Sequence, residues 1–395
     1  MIARELLADA LARAQRRGLL AAGVADLWTH AGRAHRRPAW HVRPGGTAAP
    51  EIAPETLLDL SFCTLRRFAL PGSASAPAVL VAVPLSGHFA QLFEDLVAAL
   101  APDHEVFVTD WKDAAEVPLD LGPFRLDDQI AYLVGFLRRI GRRAHVVAAS
   151  QSGVPALAAA AAMAAADDAR RPASVTLMGA MIDARVNATP VERMASALFP
   201  PQAPTPAAGA ALLALVSPLR PGAGRLVYPA WAQLAGLSLY LLRRLSIDAP
   251  TPLDVFQSAL LNDGAAAQAN RDFFHLFLTL MDLPGELYRE TMRALFAESA
   301  LASGTLAWRG ATVSPAAIRD IALMTVEAER DDISDAGQTR VAHDLCPGIP
   351  DAMRAHHLEA RIGHLGMFHG QRWRAGVLPA LRAFLRLAEA RAEAG

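Results

Sequence analysis

The stretch RAHVVAASQSGVPALAAAAAM, Arg143 to Met163, changes character at its centre. Its first half, AHVVAA, is a continuous apolar run of the kind that forms a strand buried on both faces. Its second half is alanine-rich and reads as a buried helix, because it is too short for a bilayer span and is closed by Asp167 and Asp168. Ser150, Gln151, Ser152 and Gly153 are crowded into the bend between the two. A sharp strand-to-helix turn is one way to hold a nucleophile clear of the backbone. With Ser150 at its tip, the residues two before and two after are Ala148 and Ser152, both small enough to let strand and helix approach closely. Glycine is usual at those places, and the competing interpretation is an ordinary turn with Ser152 as helix N-cap. Ser152 is the weaker nucleophile candidate, because Val154 would then occupy a position that wants a small residue.

Outward from this corner, the same alternation recurs. Short β-type runs at 77–84, 105–110, 144–150, 173–179 and 320–327 are separated by helical stretches such as QLFEDLVAAL and LDDQIAYLVGFLRRI. Apolar strands alternating with helices predict an α/β fold with a mostly parallel sheet covered on both faces, whose ligands bind at the carboxyl ends of the strands. From about Asn187 to Gly310 the pattern becomes helical, with a proline-rich start, and reads as a cap inserted over that edge. The expected organisation is an N-terminal helical and leading β segment (1–75), a first core part (76–186), a helical cap (187–313) and a second core part (314–395).

A serine hydroxyl needs a general base and donors for the oxyanion that forms on attack. After the cap, IALMTVEAERDDIS is a strand followed by an acidic turn, which offers Asp331, with Asp332 the weaker candidate. ARIGHLGMFHG then offers a further short strand and His364, flanked by glycines. The order Ser150, Asp331, His364 is that of the α/β-hydrolase fold and differs from the chymotrypsin and subtilisin orders. His364 would take the proton from Ser150, and Asp331 would orient and stabilise the imidazole. The oxyanion donors expected are the backbone amides of Gln151 and of Leu85 or Ser86, in the loop VAVPLSGHFA, where Gly87 allows a close approach. His88, early in the chain, reads as a structural histidine.

Composition narrows the alternatives. A formal charge of −1 and 19% charged residues give no basic field, so nucleic acid is not an expected partner. Lys112 is the single lysine. Cys63 and Cys346 stand far apart without a CxxC partner, which predicts neither a disulfide framework nor a metal knuckle and fits a reducing compartment. The N-terminal run MIARELLADALARAQRRGLLAAG has scattered charges instead of a signal-peptide core, so export is not expected and a cytoplasmic setting is. Its helical spacing predicts a helix docked on the body of the protein, or one that touches a membrane or granule. No transmembrane segment is expected, and the chemistry calls for no metal or organic cofactor.

Several segments carry a resemblance: PLSGHFA (84–90), VFVTDWKDAAEVPLDLGPFRLDDQIAYL (106–133), VPALAA (154–159), MIDAR (181–185), RLVYPAW (225–231), LMTVEAERDDISDAGQT (323–339), AHDLCPGIP (342–350) and GHLGMFHGQRWR (363–374). In these the chain resembles the intracellular poly(3-hydroxybutyrate) depolymerases, α/β-hydrolases that attack native polyester granules inside bacteria. The match runs from about residue 60 to the C-terminus and is patchy over 190–310. It implies an ester hydrolase, a polyester granule surface or its oligomers as partner, and Asp331 and His364 in the triad. The family resembles the polyester synthases in carrying a cysteine nucleophile in a Cys-Gln-Pro context, whereas this chain has Ser150-Gln151-Ser152. Four functions follow: a polyester depolymerase, an esterase for soluble 3-hydroxybutyrate oligomers, a granule-coating protein of weak turnover, and a polyester synthase, against which serine in place of cysteine counts. In the cap, AGLSLYLLRRL and FFHLFLTLMDL supply Leu237, Leu241 and Phe277. These side chains are expected either to line a channel for the polyester or to form the core of the cap.

Overall fold

The computed structural model describes residues 40, 42–44, 51–72, 76–141, 143–199, 211–236, 276 and 279–394. The expected N-terminal helix and most of the two apolar cap segments, including Leu237, Leu241 and Phe277, lie outside the described residues.

The apolar runs form the sheet foreseen for them. In chain order its strands begin with β1 (Glu55–Asp59), β2 (Cys63–Phe68), β3 (Ala78–Ala82), β4 (Glu105–Trp111), β5 (His145–Ala149) and β6 (Ser174–Met178). Three short strands, β7 (Ala214–Leu215), β8 (Leu226–Tyr228) and β9 (Leu283–Pro284), make a separate antiparallel sheet, and β10 (Ala307–Trp308) pairs with β11 (Ala311–Thr312). β12 (Ala322–Ala328) and β13 (Arg354–Glu359) complete the large sheet. Its order is β1-β2-β4-β3-β5-β6-β12-β13. All pairings from β4 to β13 are parallel, and β1 and β2 join antiparallel at one edge. This is the α/β-hydrolase fold. β3, β4, β5, β6 and β12 are buried at every residue, as strands covered on both faces must be.

Local sequence explains the main helices. They are α1 (Glu94–Leu100), α2 (Leu126–Ile140), α3 (Gly153–Ala165), α4 (Pro190–Leu198), α5 (Gly285–Thr291) and α6 (Leu378–Ala394). In α2, Asp127 and Asp128 lie in the first turn and Arg138 and Arg139 in the last, each complementing the helix dipole. Gly141 then ends the helix in the left-handed region, at φ 81°. α3 is buried almost all round by its small side chains, so it crosses the sheet closely. α4 opens with a capping box, Thr189 and Glu192 exchanging hydrogen bonds with each other's backbone.

Two details differ from the sequence pattern. The last strand is RAHHLE at 354–359, upstream of the expected ARIG, and that segment is a turn. The strand is polar because it stands at the open edge of the sheet, where charge discourages pairing with another chain. Within 187–313, the described residues include the three-stranded sheet β7-β8-β9 and the β10–β11 hairpin beside α4 and α5.

Candidate active site

Because β4, β3, β5, β6, β12 and β13 of the large sheet are parallel, the loops that leave their carboxyl ends gather on one edge. Ser150 follows β5 directly, Asp331 follows β12 and His364 follows β13. Ser150 has φ 50°, the left-handed region that a non-glycine residue occupies at a cost of about 1–2 kcal/mol. The turn can be that sharp because its neighbours are small. A Cβ on Gly153 would stand 2.3 Å from Ala180 Cβ, so glycine serves close helix-to-strand packing there. Ser152 is 1% exposed, and its hydroxyl points inward to the carbonyls of Ala82 and Ala149, at 2.5 and 2.7 Å. Ser152 is therefore a brace for the turn, and Ser150 holds its tip.

The three residues singled out from sequence meet here. Ser150 Oγ lies 2.9 Å from His364 Nε2, and His364 Nδ1 lies 2.7 Å from Asp331 Oδ2. A carboxylate only accepts, so Nδ1–H donates to Asp331, and Nε2 is left to accept from the serine hydroxyl. The other oxygen of Asp331 accepts from the amides of Ile333 and Ser334, both at 2.9 Å, so the buried carboxylate has partners on both oxygens. Burial works to lower the His364 pKa, but the charge of Asp331, its hydrogen bond and the charge of Asp332 together outweigh this, and the net shift is upward from 6.5. Burial holds the Asp332 carboxyl above the usual range, against its own amide and His364.

The imidazole rests on a shelf. Gly179, just after β6, has φ 58° and donates to Val326 O at 2.9 Å. A Cβ at this position would lie 2.9 Å from His364 Cε1 and 2.4 Å from Met367 Cε. Phe368 packs edge-on to the ring at 5.8 Å and to Phe93 at 5.3 Å. Sequence reasoning did not single out Gly179, although a glycine ending an otherwise apolar strand signals a close approach.

Of the expected oxyanion residues, Leu85 is buried, and Ser86 and Gln151 are partly exposed. The loop that carries Leu85 and Ser86 starts from a fixed point: Trp111 Nε1 donates to Val83 O at 2.8 Å, and Val83 N donates to Thr109 Oγ1 at 2.8 Å. His88 forms an antiparallel bridge with Leu280 and lies 3.4 Å from Ser86 Oγ through Nδ1. Both cysteines are buried, and burial pushes the Cys346 thiol up to about 12. Among the described residues no three His, Cys, Asp or Glu side chains gather as a metal site. No helix among the described residues is long and apolar enough to cross a membrane.

Residues 179–389 match the family model described as PHB de-polymerase C-terminus. Asp331 and His364 fall within that span and Ser150 precedes it. No curated protein matches the chain. Among solved structures the chain is similar to a monoacylglycerol lipase from Paleococcus ferrophilus, with TM-score 0.48 and 10% identity over 83% of this chain and 98% of that one. It is also similar to the enol-lactonase from Burkholderia xenovorans LB400, with TM-score 0.47 and 15% identity over 82% and 97%. A thermophilic esterase from Thermogutta terrifontis gives TM-score 0.44 and 12% identity over 89% and 99%.

Proposed function

The chain belongs to the PHB de-polymerase C-terminus family, and on that premise we propose that it hydrolyses the ester bonds of poly(3-hydroxybutyrate)-type polyester through an acyl-enzyme on Ser150. The observation that carries the proposal is the unbroken hydrogen-bond chain from Asp331 through His364 to Ser150. A granule-coating protein without turnover has no use for a strained serine aimed at a buried, oriented imidazole.

In the proposed cycle, Ser150 Oγ attacks the ester carbonyl carbon as its proton passes to His364 Nε2. The C=O electrons move to oxygen, where the amides of Gln151 and of Leu85 or Ser86 donate to the oxyanion. Collapse of the tetrahedral intermediate breaks the bond to the leaving 3-hydroxyl oxygen, which receives the proton from Nε2–H. Water, giving a proton to the same nitrogen, then attacks the acyl-enzyme; its collapse returns the proton to Ser150 and frees the carboxylic acid. Asp331 keeps its charge throughout and compensates the imidazolium. Serine takes the place that cysteine holds in the resemblance drawn from sequence, and a hydroxyl is sufficient for ester cleavage once a base is in reach.

Two cysteines far apart in sequence, with no CxxC pattern, fit a reducing compartment, and we place the activity in the cytoplasm at polyester granules. Purified protein should be incubated in parallel with amorphous native granules, crystalline polymer and soluble 3-hydroxybutyrate oligomers, with release of acid as the readout. Hydrolysis of granules that Ser150→Ala abolishes is the expected outcome. Hydrolysis of oligomers alone would make the protein a soluble-oligomer esterase, and no hydrolysis of any of the three would overturn the proposal.

A further inference from the structure

The insertion reaches back to the loop after β3. Met281 N donates to Gly87 O at 2.8 Å, next to the His88–Leu280 bridge. Gln233, whose side chain is almost fully buried, ties this contact together. Its amide Nε2 donates to Tyr228 O at 3.1 Å and to Met281 O at 2.9 Å, which uses both of its protons. That fixes the orientation of the amide, because a flip would set Oε1 against two carbonyl oxygens. Oε1 must then face the loop, and it lies 1.8 Å from where a Cβ on Gly87 would be. Gly87 has φ 97°, so the position requires glycine both for its backbone angle and for the oxygen packed against it.

From this arrangement we infer that Gln233 is a positioning residue for the oxyanion hole, holding the Leu85–Ser86 segment from the insertion side; the inference rests on the reading of Ser150 and its oxyanion donors given above. The segment is clamped from two directions. Trp111 and Thr109 hold Val83 at the strand end, and Gln233 with Met281 holds Gly87 at the other. An oxyanion hole works only when its donors are already aimed at the site where charge develops. The insertion is accordingly part of the catalytic apparatus even for esters too short to touch it, and its effect falls on the transition state, with little on substrate binding.

The test uses the full chain, with Gln233→Leu and Gln233→Glu assayed on p-nitrophenyl butyrate. Affinity for an alkyl trifluoromethyl ketone, whose adduct with serine carries an oxyanion, is measured beside the thermal midpoint. For Gln233→Leu the expected result is a fall in kcat of about 10- to 100-fold with KM within about twofold, since a misaimed donor costs less than a removed one. Ketone affinity should fall in proportion to kcat/KM. Gln233→Glu should lose more, because its carboxylate only accepts and would face the carbonyl oxygens of Tyr228 and Met281, repelling both where leucine merely leaves them without a donor. Folded variants with wild-type kcat and ketone affinity, or a loss confined to KM, would overturn the inference. If both variants fail to fold, Gly87→Ala decides: the same kcat-specific loss supports the clamp, and wild-type kcat refutes it. Failure of the underlying reading is separately visible, since ketone binding would then survive Ser150→Ala.

Discussion

Replacing Gly179 with alanine displaces the proposed base without substituting any residue of the triad. The new Cβ would meet His364 Cε1 at 2.9 Å, Nδ1 at 3.1 Å and Met367 Cε at 2.4 Å. The methionine tip is flexible and can swing away. The imidazole is buried between Asp331, Ser150 and Phe368, and it must retreat by roughly 0.6 Å to restore an ordinary carbon contact of about 3.5 Å. A misplacement approaching 1 Å in a reacting pair costs about 10²-fold, so we expect kcat to fall roughly 30- to 100-fold with KM little changed. Holding alanine at φ 58° adds about 1–2 kcal/mol of destabilisation. Gly72→Ala serves as control, because Gly72 has φ 86° but no atom within 4 Å of the added carbon: it should show strain without loss of turnover. The assay is steady-state hydrolysis of a short soluble ester beside thermal unfolding of both variants. A folded Gly179→Ala enzyme within twofold of wild-type kcat would refute the idea that this shelf sets the position of the base.

Asp331→Asn removes one of the charges that together outweigh burial at His364, so the imidazole pKa should drop below its wild-type value. His364 must be neutral to act as base; the acid limb of kcat/KM should therefore move to lower pH in the variant while kcat falls by about 10⁴. The stability that the raised pKa contributes is fully present below the unfolded value and lost as pH rises through the folded one, and this contribution should shrink in the variant. An unmoved acid limb would assign it to another group. Ser152→Ala should cost about 1 kcal/mol of stability through its lost hydrogen bond and leave the folded enzyme active; loss of activity without loss of stability would reopen the choice of nucleophile. Alkylating reagents should leave turnover intact, given that Cys63 and Cys346 are buried and the Cys346 thiol is held up to about 12. Activity lost in step with modification of either cysteine would contradict a serine mechanism.

Much of this site could be read from sequence because the fold sets chemistry-bearing residues just beyond apolar strands. Ser150, Asp331 and His364 stand out as polar residues behind runs such as HVVAA and ALMTVEA. The leading strands were harder to see. β2 contains Arg66 and Arg67, which look like surface residues until pairing with β4 brings them to Asp110 and Glu105. β13 was misplaced because an edge strand carries His356, His357 and Glu359 in place of an apolar run. Gly179 and Gln233 act on residues far along the chain, and no local pattern announces such contacts. At Gly153 the helical φ of −61° and the nearby Ala180 show that side-chain size, and not backbone freedom, calls for glycine. The small sheet β7-β8-β9 has strands of two or three residues, below the length at which periodicity can be recognised.

The most direct measurement is rapid acid quench of the enzyme during turnover of a soluble 3-hydroxybutyrate oligomer, followed by peptide mass mapping. The mechanism requires a 3-hydroxybutyryl ester on the peptide that contains Ser150, localised by fragmentation to that residue, and none in Ser150→Ala. An adduct on Ser152, Cys63 or Cys346, or an adduct that persists in the Ser150→Ala variant, would contradict it.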